Sequence, residues 1–207
     1  LPPVYDTLGN VAYQPSGVYS QEDFRKKIAQ FAELVKQHLG SDIPFYPILG
    51  ESEAVAPDTS KIVLEHFPVP NSVLLDTSQL VYNVTIGKAH FSALSFPAYD
   101  STKNALRTQL VTQPLLQWLG KSLAEASKKS PFLFVVGSVP AFSTGGAAGA
   151  YTGLDRDRDA RTRFWQMLMK YKVLAFFCSN EPLYDRTYRY GVWQIISGGA
   201  GAEYELP

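Results

Sequence analysis

The sequence contains a single cysteine and only three histidines among its 207 residues. Cys178 has no second cysteine to pair with, which excludes an intrachain disulfide and a thiolate metal cluster. We interpret it as a small buried side chain at the end of a strand. The histidines are far apart along the chain, at positions 38, 66 and 90, and do not have the spacing of a histidine-based metal site.

The chain also lacks an excess of charge and any long apolar run. Lys and Arg number 19, as do Asp and Glu, so the formal net charge is zero. Nucleic acids and anionic membrane surfaces attract proteins through an excess of positive charge, so neither partner is expected. No apolar run approaches the roughly 20 residues that span a bilayer. The composition is 45% apolar, which is ordinary for a globular protein. We therefore expect a single domain over residues 1–207.

Three segments have the apolar spacing of helices. The first is predicted over residues 21–39, where Ser20 is placed to cap the amino end and Gly40 to end the helix. The others are predicted over residues 114–128, with Pro114 in the first turn, and over residues 156–171. Between them lie apolar runs typical of strands, at 43–50, 73–75, 80–86, 89–96, 132–136, 173–177 and 191–197. This order predicts an α/β fold with helices outside a sheet.

Four short segments of the sequence form a recognisable series. They read LGNVAY at 8–13, GESE at 50–53, GSVP at 137–140 and SNEPLYDR at 179–186. In order and spacing they resemble the metal-binding loops of the calcineurin-like metallophosphoesterases, particularly the purple-acid-phosphatase-like branch. The resemblance implies a four-layer α/β/β/α sandwich. The Asp-x-His motif on the family's opening strand has no counterpart, so we expect the domain to lack that first strand.

The resemblance also implies that the metal-binding positions have changed. The bridging aspartate falls on Asn10, the general-acid histidine on Ser52 and a ligand histidine on Ser138. The last pair of ligands falls on Asn180 and Pro182. The family's reaction uses two metals to activate water and to neutralise the phosphoryl group. These five replacements cannot supply the imidazole and carboxylate donors, and proline offers no side-chain donor at all. The resemblance therefore implies a pseudoenzyme, with no catalytic residues, metal or cofactor expected.

An altered divalent-metal site is the alternative. Glu51 stands where the family has a ligand asparagine, and it could bind a hard cation together with Glu53, Asp185 and Asn10. In that case the protein would be a phosphatase or phosphodiesterase. In the other interpretation, Glu51 and Glu53 are solvated and Asp185 pairs with a neighbouring arginine.

The function expected from these observations is that of a binding or assembly component. A protein partner, or a second copy of the chain, would then contact the rim of the former active site. The candidate binding residues are Glu51, Glu53, Tyr184, Asp185 and Arg186. We expect the protein to be extracytoplasmic, in the periplasm or secreted, because related domains are often exported and Leu1 has the character of a processed start.

Overall fold

The structure is a computed structural model. It describes residues 4–5, 11–12, 20–51, 53–54, 58–75, 79–97, 99–100, 105–106, 110–144 and 153–199. For 4–5, 11–12, 99–100, 105–106 and 156, only the backbone is described.

The described chain contains four α-helices and eleven strands. The helices are α1 (Gln21–Leu39), α2 (Thr59–His66), α3 (Gln113–Ala126) and α4 (Arg158–Lys170), and a 3-10 turn at Leu154–Arg156 precedes α4. The strands are β1 (Val4–Tyr5), β2 (Val11–Ala12), β3 (Val73–Leu75), β4 (Gln79–Ile86), β5 (Ala89–Leu94), β6 (Tyr99–Asp100), β7 (Ala105–Leu106), β8 (Phe132–Gly137), β9 (Ala175–Cys178), β10 (Tyr184–Arg189) and β11 (Val192–Ser197).

Seven of the strands form one mixed sheet, in the order β10-β11-β9-β8-β5-β4-β3. The four inner strands β5, β8, β9 and β11 are parallel to one another. The outer pairs are antiparallel hairpins, with β4 beside β5 and β10 beside β11. Parallel neighbours require long crossovers, which α3 and α4 supply. The remaining strands pair as two short ribbons, β1 with β2 and β6 with β7.

Two apolar cores lie on opposite faces of this sheet. The larger one packs α3 and α4 against β8, β9 and β11, and Leu119 and Phe164 are completely buried in it. The smaller one packs α1 and α2 against β4 and β5. Side chains alternate along each strand, so β4 places Val81 in the larger core and Leu80 and Tyr82 in the smaller one. The two cores therefore share the same central strands.

Beyond β5, the described residues cover the side of the sheet opposite α3 and α4 only partly. Phe91, Phe134 and Phe177 lie half-buried on this side, and their rings follow one another at centroid distances of 5.0 and 6.0 Å. Ile195 is also half-buried, and Trp193 is 42% exposed. We call this surface, with Tyr184 and Tyr188 of β10, the open sheet face.

Most predicted elements are confirmed. Ser20 accepts a hydrogen bond from the Asp23 amide at the start of α1, and Gly40 ends that helix at a φ of 90°. Gly87 forms the predicted hairpin turn between β4 and β5. The mixed α/β fold is also confirmed. The seven strands of the large sheet are hydrogen-bonded in an unbroken series, so the described residues leave no gap inside that sheet for a missing first strand.

Other predictions are wrong or lie beyond the described residues. The segment 43–50 was expected to be a strand in the sheet, but it pairs with no strand that the structure describes. Helix α2 and strand β10 were not predicted, because α2 is short and β10 has an exposed, largely polar sequence. Asn10 and Ser52 lie outside the described residues, as does most of the glycine-rich loop around residues 145–152.

Candidate functional site

The carboxyl ends of the parallel strands place several predicted site residues at one edge of the sheet. Ser138 follows β8, and Asn180 and Pro182 follow β9. The segment that leads to Glu51 reaches the same edge, because the Leu49 amide donates to Ser95 Oγ, just after β5, at 2.9 Å. In sheets of this type, ligands bind outside the carboxyl ends of the strands. This edge is therefore the candidate site.

Ser138 is turned into the protein. Its side chain is buried, at 3% exposure, and its Oγ accepts a hydrogen bond of 3.3 Å from the Phe96 amide. Its carbonyl accepts a further bond of 3.2 Å from Ser179 Oγ. These contacts tie the loops after β5, β8 and β9 together. Where the family is expected to carry a ligand histidine, this chain carries a small residue with a structural role.

In the loop after β9, the side chain that contacts the neighbouring loop is that of Glu181. Asn180 is exposed and adopts a left-handed backbone, with a φ of 73°, which asparagine tolerates better than most residues. Glu181 is 3% exposed, and its Oε2 accepts a hydrogen bond of 3.1 Å from the Thr144 amide. Pro182 is half-buried and has no donor atom. The buried carboxylate thus joins this loop to the one after β8.

Glu51 is not solvated, which corrects the interpretation in which both Glu51 and Glu53 are solvated. Glu51 is buried, at 8% exposure. Glu53 is half-buried, and its Oε2 accepts a hydrogen bond of 2.7 Å from the Gly50 amide. The side chain therefore closes the turn on its own backbone.

The three candidates on β10 are arranged along an edge strand. Tyr184 is 63% exposed and opposes Ser197 of β11. Asp185 accepts a hydrogen bond of 2.9 Å from Thr187 Oγ1. Neighbouring arginines stack on aromatic rings: Arg186 lies 6.0 Å from the Trp193 ring centre, and Arg189 lies 4.4 Å from that of Phe142.

Two buried glutamines that sequence reasoning missed hold the loops of this edge. Gln194 is fully buried in β11; its Oε1 accepts from the amides of Ala141 and Phe142, both at 2.9 Å, and its Nε2 donates to the Phe142 carbonyl at 2.7 Å. Gln79, also fully buried, donates to the Phe96 carbonyl at 2.7 Å. For Gln194, a polar residue inside an apolar strand pattern was the available signal, since buried polar groups need partners.

The residues described at this edge do not fit a pair of metal ions. Within the part of the chain that the structure describes, no three His, Cys, Asp or Glu side chains lie close enough together to hold a metal. Ser138 accepts a backbone bond inside the protein, and Pro182 offers no donor. The family's two-metal chemistry therefore has no donor set among the described residues.

The fold is similar to that of several solved metallophosphoesterases. A purple acid phosphatase from yellow lupin (Lupinus luteus) seeds superposes with a TM-score of 0.65 at 17% identity, over 89% of this chain and 37% of that one. A dimetal phosphatase from Danio rerio gives a TM-score of 0.50 at 11% identity, over 95% and 82%. The fold is that of the metallophosphoesterases.

A third similar structure is GAP50 of Plasmodium, described as the anchor in the inner membrane complex. It superposes with a TM-score of 0.52 at 16% identity, over 77% of this chain and 50% of that one. The chain thus spans about a third of the lupin phosphatase and half of GAP50. No family model and no curated protein sequence matches it. Among the described helices, none is long and apolar enough to cross a membrane.

Proposed function

We propose that this chain is a metallophosphoesterase-fold protein that acts as a binding or assembly component and has no metal-dependent phosphatase activity. The proposal rests on the side chains found at the loops that resemble the family's metal-binding loops. The backbone framework of the edge is kept, whereas Ser138 points inward, Pro182 has no donor and Glu181 is committed to the Thr144 amide. A site that bound two metals would need these positions to project donors outward.

The binding surface that we propose is the open sheet face together with the exposed rim at Asn180. Tyr184 and Tyr188 are 63% and 59% exposed, and the Tyr188 ring packs against Trp193 at a tilt of 47°, with ring centres 5.0 Å apart. Tyrosine, tryptophan and arginine are the residues most enriched at the energetic centres of protein interfaces. A protein partner is the ligand for which this surface is best suited. GAP50, which has a similar fold, is described as the anchor in the inner membrane complex of Plasmodium.

Metal content and turnover test the proposal directly. We expect the purified protein, incubated with Fe, Zn or Mn and desalted, to retain far less than one metal per chain. We also expect no hydrolysis of a chromogenic phosphomonoester or phosphodiester above the rate in buffer with the same metal. Both results follow from the missing donors at the ligand loops.

The altered metal site makes the opposite prediction. Stoichiometric metal, with turnover that falls after Glu51→Ala and persists after Glu33→Ala on the exposed side of α1, would overturn the pseudoenzyme proposal. If the protein bound metal without turnover, the proposed binding function would stand, but the proposed loss of metal affinity would be refuted. An extracytoplasmic location remains a proposal, which cell fractionation of the native protein would test.

A further inference from the structure

The charges of the chain are unevenly distributed between the two sides of the large sheet. On one side, α1 and α2 with its N-cap residue, residues 21–39 and 58–66, carry five Lys and Arg and five Asp and Glu. On the other side, α3, α4 and their flanking turns, residues 113–130 and 154–172, carry nine Lys and Arg but only four Asp and Glu. The formal net charge of zero for the whole chain therefore includes a helical layer with a net charge of +5.

Two of the four carboxylates in this layer are already engaged within the protein. Asp155 pairs with Arg161, and Asp157 accepts a hydrogen bond of 2.9 Å from the Ala160 amide at the start of α4. The cations that remain outnumber the two remaining carboxylates. Their counter-charge therefore comes from solvent ions or from a bound partner.

Three of these cations line a groove between α3 and α4. The groove has a volume of about 490 Å³, with Lys121 on its α3 side and Arg163 and Lys170 on its α4 side. All three residues are exposed, and among the described residues none of them forms an ion pair. No Asp or Glu of the described chain lines the groove. The groove is therefore electropositive and open to solvent.

The groove also has an apolar lining. Leu116, Met167 and Tyr171 contribute to it, and the last two are half-buried. Methionine is flexible and packs against side chains of varied shape. Three exposed glutamines, at positions 113, 117 and 166, add amide donors and acceptors. Cations beside apolar side chains favour a ligand with both carboxylates and apolar groups, and an acidic protein segment has both.

The width of the groove discriminates between anionic partners. The two helices meet at Gly120 and Met167, and helices packed side by side have axes about 8–10 Å apart. A peptide segment fits into such a space, whereas a bilayer surface or a nucleic-acid duplex does not. Single-stranded nucleic acids bind on aromatic platforms, and the described lining has a single aromatic ring, that of Tyr171.

We propose that the groove between α3 and α4 binds an acidic segment of another protein. Carboxylates of that segment pair with Lys121, Arg163 and Lys170, and its apolar side chains pack on Leu116 and Met167. Arg163 and Lys170 are seven residues apart on one side of α4, so about 10 Å along the helix axis separates the carboxylates that they bind. The proposal goes beyond the function proposed above, because the groove and the open sheet face lie on opposite sides of the sheet.

The charges of the undescribed segments do not balance those of the groove. No undescribed segment carries more than two carboxylates, and the one that carries two is 200–207, with Glu203 and Glu205. The three cations of the groove exceed this number. Segment 200–207 is nevertheless the competitor within the chain that an experiment has to distinguish from a separate partner.

Binding of an acidic peptide tests the proposal. The probe is a fluorescein-labelled peptide in which leucines alternate with pairs of glutamates, and fluorescence anisotropy measures its affinity. We expect saturable binding that the double substitution Arg163→Glu and Lys170→Glu weakens about tenfold or more, because like charges then face each other. Lys36→Glu with Lys61→Glu, at exposed positions of α1 and α2, changes the net charge equally and should have no such effect. Circular dichroism verifies the fold of both variants.

Variants of the peptide separate the two kinds of contact. A peptide with glutamine in place of every glutamate should bind more weakly, because it has no charge to pair with the groove. A peptide with serine in place of every leucine should also bind more weakly, because it leaves the apolar lining uncovered. Equal affinity of either variant and the original peptide would contradict the corresponding contact and with it the proposal.

Three other outcomes also overturn the proposal. Peptide binding that is absent, or that both double substitutions weaken equally, excludes the groove as the site. Phosphatidylserine vesicles or single-stranded DNA that bind through Arg163 and Lys170, with no binding of the peptide, would show that the partner is a lipid surface or a nucleic acid. A gain in peptide affinity of about tenfold in Glu203→Gln with Glu205→Gln would show that the chain's own segment occupies the groove.

Discussion

Single buried polar residues decide much of the local structure of this protein. His90 is buried under α3, with its Nδ1 3.1 Å from Thr85 Oγ1 and its Nε2 3.3 Å from Ser92 Oγ. The hydroxyls of Ser92 and Ser122 both donate to Asn83 Oδ1, at 2.9 and 2.7 Å, and so can accept from an Nε2–H. Burial lowers the pKa of His90 below its ordinary value of 6.5. The neutral imidazole is thus the form that the folded protein favours.

This pKa has a consequence for stability at acid pH. The unfolded chain binds a proton at His90 near pH 6.5, whereas the folded protein binds it only at lower pH, so stability falls as pH drops below 6.5. We expect His90→Gln to be less stable than the wild type at pH 7.5, and the gap to narrow as pH falls toward 5. Urea unfolding at several pH values measures this. A gap that is constant or widens would contradict the lowered pKa.

At the scale of elements, close approach of backbone segments joins the strand ends. A Cβ atom on Gly198, just after β11, would lie 2.0 Å from the Glu181 carbonyl oxygen. The Gly198 amide also donates to the Leu183 carbonyl at 3.1 Å. This glycine is therefore needed for close packing between two loops.

Substitution of this glycine should destabilise the protein. We expect Gly198→Ala to lower the free energy of unfolding by about 1–3 kcal/mol, because the clash is with backbone that must move. Gly120→Ala is the matched control: its Cβ would lie 3.4 Å from the flexible Met167 Cε, and alanine favours the helix by roughly 0.5–1 kcal/mol. Chemical denaturation compares the two. Equal effects of both substitutions would refute the close approach at Gly198.

At the scale of the whole molecule, β4 and β5 couple the two cores. Leu94 of β5 lies in the larger core and Ala93 in the smaller one, and Val81 and Leu80 of β4 divide in the same way. Neither helix of the smaller core, α1 or α2, contains a tryptophan. If packing is lost in the smaller core, the environment of the tryptophans changes through the strands that both cores share.

This coupling predicts a single unfolding transition. Ile62 is 1% exposed in the smaller core, and Ile62→Ala should cost about 2–5 kcal/mol. We expect tryptophan fluorescence and far-ultraviolet circular dichroism to shift together to a lower denaturant midpoint, as in two-state unfolding. Lys61→Ala, on the exposed side of α2, is the control and should shift neither signal by a comparable amount. Separate midpoints for the two signals would show that the cores unfold independently.

The sequence by itself determined the elements whose signals are local. Helix α1 has a cap at Ser20, apolar side chains at helical spacing and a glycine at its end, all within one stretch of chain. The side chains at the loop positions 138, 180 and 182, which are Ser138, Asn180 and Pro182, could also be read directly from the sequence. Short or exposed elements such as β10 were not predicted, because their hydrophobic patterns are weak.

Only the tertiary structure decided how those residues are used. The inward hydroxyl of Ser138, the buried carboxylate of Glu181 and the loop contacts of Gln194 depend on residues 37 to 53 positions away in the chain. Segment 43–50 is the clearest case. Its apolar sequence is a local signal and predicted a buried strand, whereas it pairs with no strand that the structure describes, an outcome that depends on which segments the fold brings beside it.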